Sequence, residues 1–89
     1  MDFEWDAAKS ARNRLERDFD FEFASLIFAG PVVAWPDDRQ NYGEARVRAV
    51  GKAGNLLLHV VFTDRGGIRR IISARVANRK ERQLWLSHV

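Results

Sequence analysis

Thr63-Asp-Arg-Gly-Gly-Ile-Arg-Arg-Ile-Ile-Ser-Ala-Arg-Val-Ala-Asn-Arg-Lys-Glu-Arg82 decides how the chain folds. Its middle alternates as a strand does, with Arg69, Ile71, Ser73 and Arg75 on one face and Ile68, Arg70, Ile72 and Ala74 on the other. Cations are therefore expected on both faces. Gly66-Gly67 before it carries the chemistry of a tight hairpin turn, and Val76 to Leu86 after it takes on helical spacing. Asn78, three residues before Glu81, resembles a capping box, although Ser73 or Arg75 could equally open the helix. A strand feeding a basic helix offers a phosphate-binding surface, because Arg grips phosphate through a planar fork. A solvated edge strand that uses charge against aggregation has the same composition.

Working back, Leu56 to Thr63 is the most apolar run and is expected at the centre of a sheet, behind a turn at Lys52-Ala-Gly-Asn55. Glu44 to Gly51 sets Arg46, Arg48 and Val50 against Ala45, Val47 and Ala49, a strand with one basic face. Val32 to Trp35 is a short strand closed by Pro36, and Pro36 to Gly43 is a polar loop. Phe3-Glu-Trp5 reads as a short strand. Asp6 then caps a helix from Ala7 whose buried stripe is Ala8, Ala11 and Leu15, and Asp20 caps a second helix from Phe21 to Phe28, ended by Gly30-Pro31. Phe19, Phe21, Phe23 and Phe28 are assigned to the core rather than to a base-stacking platform. The short connections make successive strands antiparallel neighbours. The expected architecture is α+β: two N-terminal helices, an antiparallel four-stranded meander and a C-terminal helix packing its Leu84 side on the sheet.

The 89 residues, 46% hydrophobic, suit a single domain spanning 1–89. There is no cysteine, which excludes disulfides, thiolate zinc sites and a cysteine nucleophile. No apolar run approaches the roughly 18 residues of a membrane span, and Met1-Asp-Phe-Glu lacks the features of a signal peptide, so a cytoplasmic protein with no membrane contact is expected. Residues 1–40 hold five Lys/Arg and nine Asp/Glu, a balance of −4; residues 41–89 hold ten and three, a balance of +7. A basic half suits a polyanionic partner. Asp37-Asp38 has no companion at ligand spacing and reads as a loop-solvating pair, so no metal is expected. Gly66-Gly67 lacks the Lys-Ser or Lys-Thr of a nucleotide loop, so no cofactor is expected.

A specific resemblance emerges from Phe3-Glu-Trp-Asp6 with Lys9 and Asn13, Phe21-Glu-Phe-Ala24 with Phe28, Asp38-Arg39, Gly43-Glu44 with Arg46 and Gly51, Val61-Phe-Thr-Asp-Arg-Gly66, Arg70-Ile-Ile-Ser-Ala-Arg75 and Glu81-Arg82. In their order these motifs are similar to those of the BrnT family, over Phe3 to about Trp85. The resemblance implies a RelE-like fold and a ribonuclease toxin that inhibits translation. It also implies a BrnA-like antitoxin partner, through which alone the protein would meet DNA. Where the family usually has Lys-His-Gly, this chain has Glu16-Arg17-Asp18, so Arg17 replaces the histidine.

Metal-independent RNA cleavage needs a base for the ribose 2′-OH, positive charge at the phosphorane and a proton for the leaving oxygen. Arg65 and Arg75, both in the matching motif, are the expected catalytic cations. Glu44 is the expected base, with Glu81 second and an ion pair with Arg46 or another Arg as Glu44's structural alternative. Tyr42 could position a base by stacking or simply close the loop. Arg46, Arg48, Arg69, Arg70, Arg79 and Arg82 are the expected RNA-binding residues. His59, among aliphatics, and His88, near the end, are assigned structural or incidental roles. Two other functions share these features: a catalytically degenerate module that binds RNA or antitoxin in operon regulation, and an interaction domain for an acidic partner.

Overall fold

Gly66 and Gly67 both adopt positive φ, +59° and +80°. This two-residue type I′ turn matches the right-handed twist of the strands it joins. It links β4 (Leu56–Arg65) to β5 (Ile68–Val76) in the computed structural model, which describes residues 1–89. The remaining elements are β1 (Asp2–Trp5), α1 (Ala7–Arg17), α2 (Phe21–Ala24), β2 (Val32–Pro36), β3 (Val47–Ala53) and α3 (Arg79–His88). No helix is long and apolar enough to cross a membrane.

Strands β2 to β5 form the expected antiparallel meander, with β4 at its centre. The sheet nevertheless has five strands and is mixed, in the order β1-β5-β4-β3-β2, because β1 adds to β5 in parallel. A parallel neighbour needs no local turn, so nothing near Phe3 announces its partner. Glu4 sits opposite Arg70 in this register and accepts from its Nη1 at 2.6 Å, while Phe3 stacks on Phe28 at 5.7 Å.

The second helix is shorter than expected. After one α turn it tightens to 3-10 geometry over Ser25–Ala29, which brings Ile27 fully into the core. Asp20 caps it as expected, accepting from the Phe23 amide at 2.8 Å. Phe21, Ala24 and Ile27 then pack against Leu58, Val60 and Phe62 on one face of the sheet. Phe19 and Phe21 are buried there, and Phe23 and Phe28 pack against the same cluster. The other face holds Val50, Leu57 and Ala77, with Trp35 and Trp85 against them, beneath α3.

Gly51 lies where this helical segment crosses β3. A Cβ there would come to 2.8 Å from Val32 Cγ1 and 2.9 Å from Ile27 Cβ. Gly51→Ala is therefore expected to destabilise the fold by about 1–3 kcal/mol, as other overpacked sites do. For a chain of this size that lowers the thermal midpoint by about 5 °C or more, measurable by circular dichroism. An unchanged midpoint would show that the crossing can open at no cost.

Two further expectations are corrected. Ala8, Ala11 and Leu15 are exposed, Leu15 by 85%, and the buried residues of α1 are Ser10 and Asn13. Hydrogen bonding decides this face: Ser10 Oγ accepts from the Phe21 amide and Asn13 Nδ2 donates to the Phe19 carbonyl, both at 2.9 Å. These bonds satisfy backbone groups that would otherwise be buried unpaired. In β5, Val61 pairs with Ser73 but Phe62 pairs with Ile71, which leaves Ile72 as the extra residue of a bulge. The alternation reverses across it. Ile71 and Ala74 share one core, and Arg69 and Arg75 lie on opposite faces instead of together.

Candidate functional site

Lys9, Arg12, Asn13, Glu16 and Arg17 recur at helical spacing and line one wall of a groove of about 450 Å³. The opposite wall is the 37–46 loop, through Asp37, Arg39, Tyr42 and Arg46, and the floor is Val61 with Ile72 to Arg75. Six cations thus meet two carboxylates, Glu16 and Asp37. Lys9, Arg12 and Arg17 have no ion-pair partner, so their charge faces the groove uncompensated.

The loop is held by a residue expected only to solvate it. Asp37 is buried and accepts from Arg39 Nε at 2.7 Å and Nη2 at 2.9 Å, while its amide donates to the Arg46 carbonyl. The Arg39 hydrogen bonds outweigh burial and bring the Asp37 carboxyl down to about 2. Thr63 Oγ1 closes the loop by donating to the Ala45 carbonyl at 2.7 Å. At its end the Arg46 guanidinium lies 4.1 Å from the Tyr42 ring centre and donates through Nε to Glu44.

Arg75 forms the other end of the floor. Its Nη1 and Nη2 donate to the two carboxylate oxygens of Glu81 at 2.8 and 2.9 Å. Asn78 opens α3 with a reciprocal capping box: its side chain accepts from the Glu81 amide, and its own amide donates to Glu81 Oε1, both at 2.9 Å. Arg48 approaches the same carboxylate at 3.5 Å and donates through Nε to His59 Nε2 at 3.1 Å. Burial pushes Glu81 up, but the Arg75 hydrogen bonds, the Asn78 amide and the neighbouring positive charge prevail and hold it at about 2. His59 is pushed down to about 4, by burial first, then by Arg75 and Arg48 against the pull of Glu81. It is neutral at pH 7. With Nε2 accepting, its proton is on Nδ1, a buried atom with no partner.

The structure separates some expected site residues and unites others. Arg65 ends β4 opposite Ile68, the first residue of β5, whereas Arg75 lies near the other end of β5, about 20 Å away along the strand at its usual rise, too far for both to act on one phosphate. Glu44 is the partner of both Arg46, at 2.9 Å, and Arg65, at 3.1 Å. Arg69 is on the far face, paired to Asp64 and lying over Phe28 and Phe62, and Arg70 pairs with Glu4. Arg48 is committed to the Glu81 cluster, whereas Arg79 and Arg82 are exposed on α3 without ion pairs. Of the expected residues, Arg46 and Arg75 line the groove. Reading the chain for strands missed Lys9, Arg12 and Arg17, although their spacing on α1 was there to find. His59 was placed among aliphatics because its chain neighbours are Leu58 and Val60; its spatial neighbours are Arg48, Arg75 and Glu81.

No curated protein matches the chain significantly. The family model described as "Ribonuclease toxin, BrnT, of type II toxin-antitoxin system" matches residues 5–81, which include α1, the whole meander and the start of α3. A match over most of the chain, in agreement with the motifs from Phe3 to Trp85, establishes that this protein belongs to the BrnT family of type II ribonuclease toxins.

Proposed function

We propose that residues 1–89 act as one toxin domain that cleaves RNA without a metal, stops translation in the cytoplasm and is neutralised by a BrnA-like antitoxin, which also makes any contact with DNA. The observation that carries this is the groove: six cationic side chains converge, and one of them, Arg75, is held by a buried carboxylate. Such fixed charge can receive a phosphodiester and stabilise the phosphorane without a metal ion. The ribose 2′-oxygen forms the new bond to phosphorus, its proton passing to Glu44, which does not line the groove itself but pairs at 2.9 Å with Arg46, which does. The bond from phosphorus to the 5′-oxygen breaks, and that oxygen takes a proton from Tyr42, which lines the groove under Arg46. The products are a 2′,3′-cyclic phosphate and a 5′-hydroxyl.

Induced in bacteria, the chain is expected to arrest growth and fragment RNA. Arg75→Ala should relieve both, with cleavage falling about 100-fold, as when a transition-state donor is removed. Co-expression with the antitoxin should also relieve both. Affinity for single-stranded RNA should fall with salt with a logarithmic slope of about −2 to −4, corresponding to three to five phosphate contacts. Intact RNA and continued growth from folded protein would refute cleavage.

A second reading is favoured by one observation, that both oxygens of Glu44 are taken up by arginines, and it agrees with the family resemblance, in which Arg17 stands where a histidine is usual. On that reading the groove binds RNA without cutting it. Salt-sensitive binding with no fragments is the result that would select it.

A further inference from the structure

We infer that Glu81 is a positioning residue that turns Arg75 into a two-sided fork, one edge fixed to the protein and the other presented to the scissile phosphate. A guanidinium has an end edge, formed by Nη1 and Nη2, and a side edge, formed by Nε and Nη2. Glu81 occupies the end edge, at 2.8 and 2.9 Å, and the Val76 carbonyl takes a further contact from Nη1 at 3.3 Å. Nε–H and the second Nη2–H are left without a protein acceptor on a side chain that is one-third exposed at the groove floor. That free side edge is the geometry that binds two phosphate oxygens at once.

Glu81 is itself held against rotation. Asn78 fixes it through the capping box, and Arg48 approaches from the other side with His59 behind it. The carboxylate therefore acts through Arg75 and neither takes nor gives a proton. This inference rests on the cleavage reading above, since an oriented fork matters most at the phosphorane.

The test is steady-state cleavage of a short fluorescent oligoribonucleotide by the purified full-length chain. Four variants, Arg75→Ala, Arg75→Lys, Glu81→Gln and the double variant Arg75→Ala with Glu81→Gln, are compared with wild type. Glutamine can keep the capping box but cannot hold the guanidinium as a carboxylate does. Glu81→Gln should lower kcat by about 10-fold or more while KM moves less than about 3-fold, the signature of an interaction realised in the transition state. In the Arg75→Ala background the same change should have no further effect, whereas a merely structural role would lower both backgrounds alike.

Arg75→Lys keeps a charge for Glu81 but has no second edge, so it should fold and be as inactive as Arg75→Ala, about 100-fold below wild type. If Glu81→Gln does not fold, this lysine variant decides the matter. Arg75→Lys activity within about 3-fold of wild type, or additive losses in the double variant, would overturn the inference and leave the cleavage reading standing. Wild type that leaves the oligoribonucleotide intact would overturn both.

Discussion

Glu81→Ala is expected to lower the free energy of unfolding by about 3–5 kcal/mol, as when one member of a buried ion pair is removed. The residue is only 5% exposed, and its carboxylate lies between the guanidinium groups of Arg75 and Arg48. Without it the two cations face one another in a partly dry site. The Asn78 amide also loses its acceptor at the start of α3. Since domains of this size are stable by only about 5–15 kcal/mol, much of the population is expected to unfold in mild denaturant. Urea melts measure this directly, with Arg79→Ala as the control. Arg79 is on the same helix, exposed and unpaired, and its removal should move stability by no more than about 0.5 kcal/mol. A loss below about 1 kcal/mol in Glu81→Ala would mean that water enters and solvates the two arginines.

Stability is expected to fall by about 2 kcal/mol between pH 7 and pH 5 through His59 alone. Its folded value is about 4 against an ordinary 6.5, with burial the largest cause, Arg75, Arg48 and Arg39 adding to it and Glu81 opposing. Between those values the unfolded chain binds a proton that the folded chain does not. Folding therefore weakens as pH falls through this window, by on the order of 3 kcal/mol over its full width. Asp37 and Glu81, both held at about 2, continue the loss as pH falls from about 4 toward 2. Urea midpoints at pH 7 and pH 5 provide the measurement. His59→Leu removes the titrating ring and should flatten the slope, whatever it does to stability at pH 7. The same slope in wild type and His59→Leu would assign the acid sensitivity elsewhere.

How far the chain could be read follows from the range over which each signal acts. Gly66-Gly67, the caps Asp6 and Asp20, and the apolar run of β4 each act within a few residues, and each is found where expected, while of the three openings considered for α3 the structure selects Asn78 and leaves Ser73 and Arg75 in β5. The family is equally legible, since its motifs recur along the chain in order. The buried side of α1 is different. Hydrophobic spacing pointed to Ala8, Ala11 and Leu15, but two hydrogen bonds to the turn before α2 select Ser10 and Asn13. Period alone cannot show that a polar face is needed to satisfy a neighbouring segment's backbone.

The groove depended on the same distinction. Its cations were visible as a basic composition, and the wall from Lys9 to Arg17 could have been read from helical spacing. The Ile72 bulge could not, because an extra residue is defined only against the strand opposite, and it is this bulge that parts Arg69 from Arg75. Nor could the sequence pair Arg48 with His59, or both with Glu81, across residues 11 to 33 positions apart. Turns, caps and the central strand were determined locally, by backbone chemistry over one or two turns of chain. The parallel addition of β1, the face presented by each arginine and the charge environment of His59 were decided by tertiary packing, because burial and electrostatic coupling depend on distance in space rather than separation in sequence.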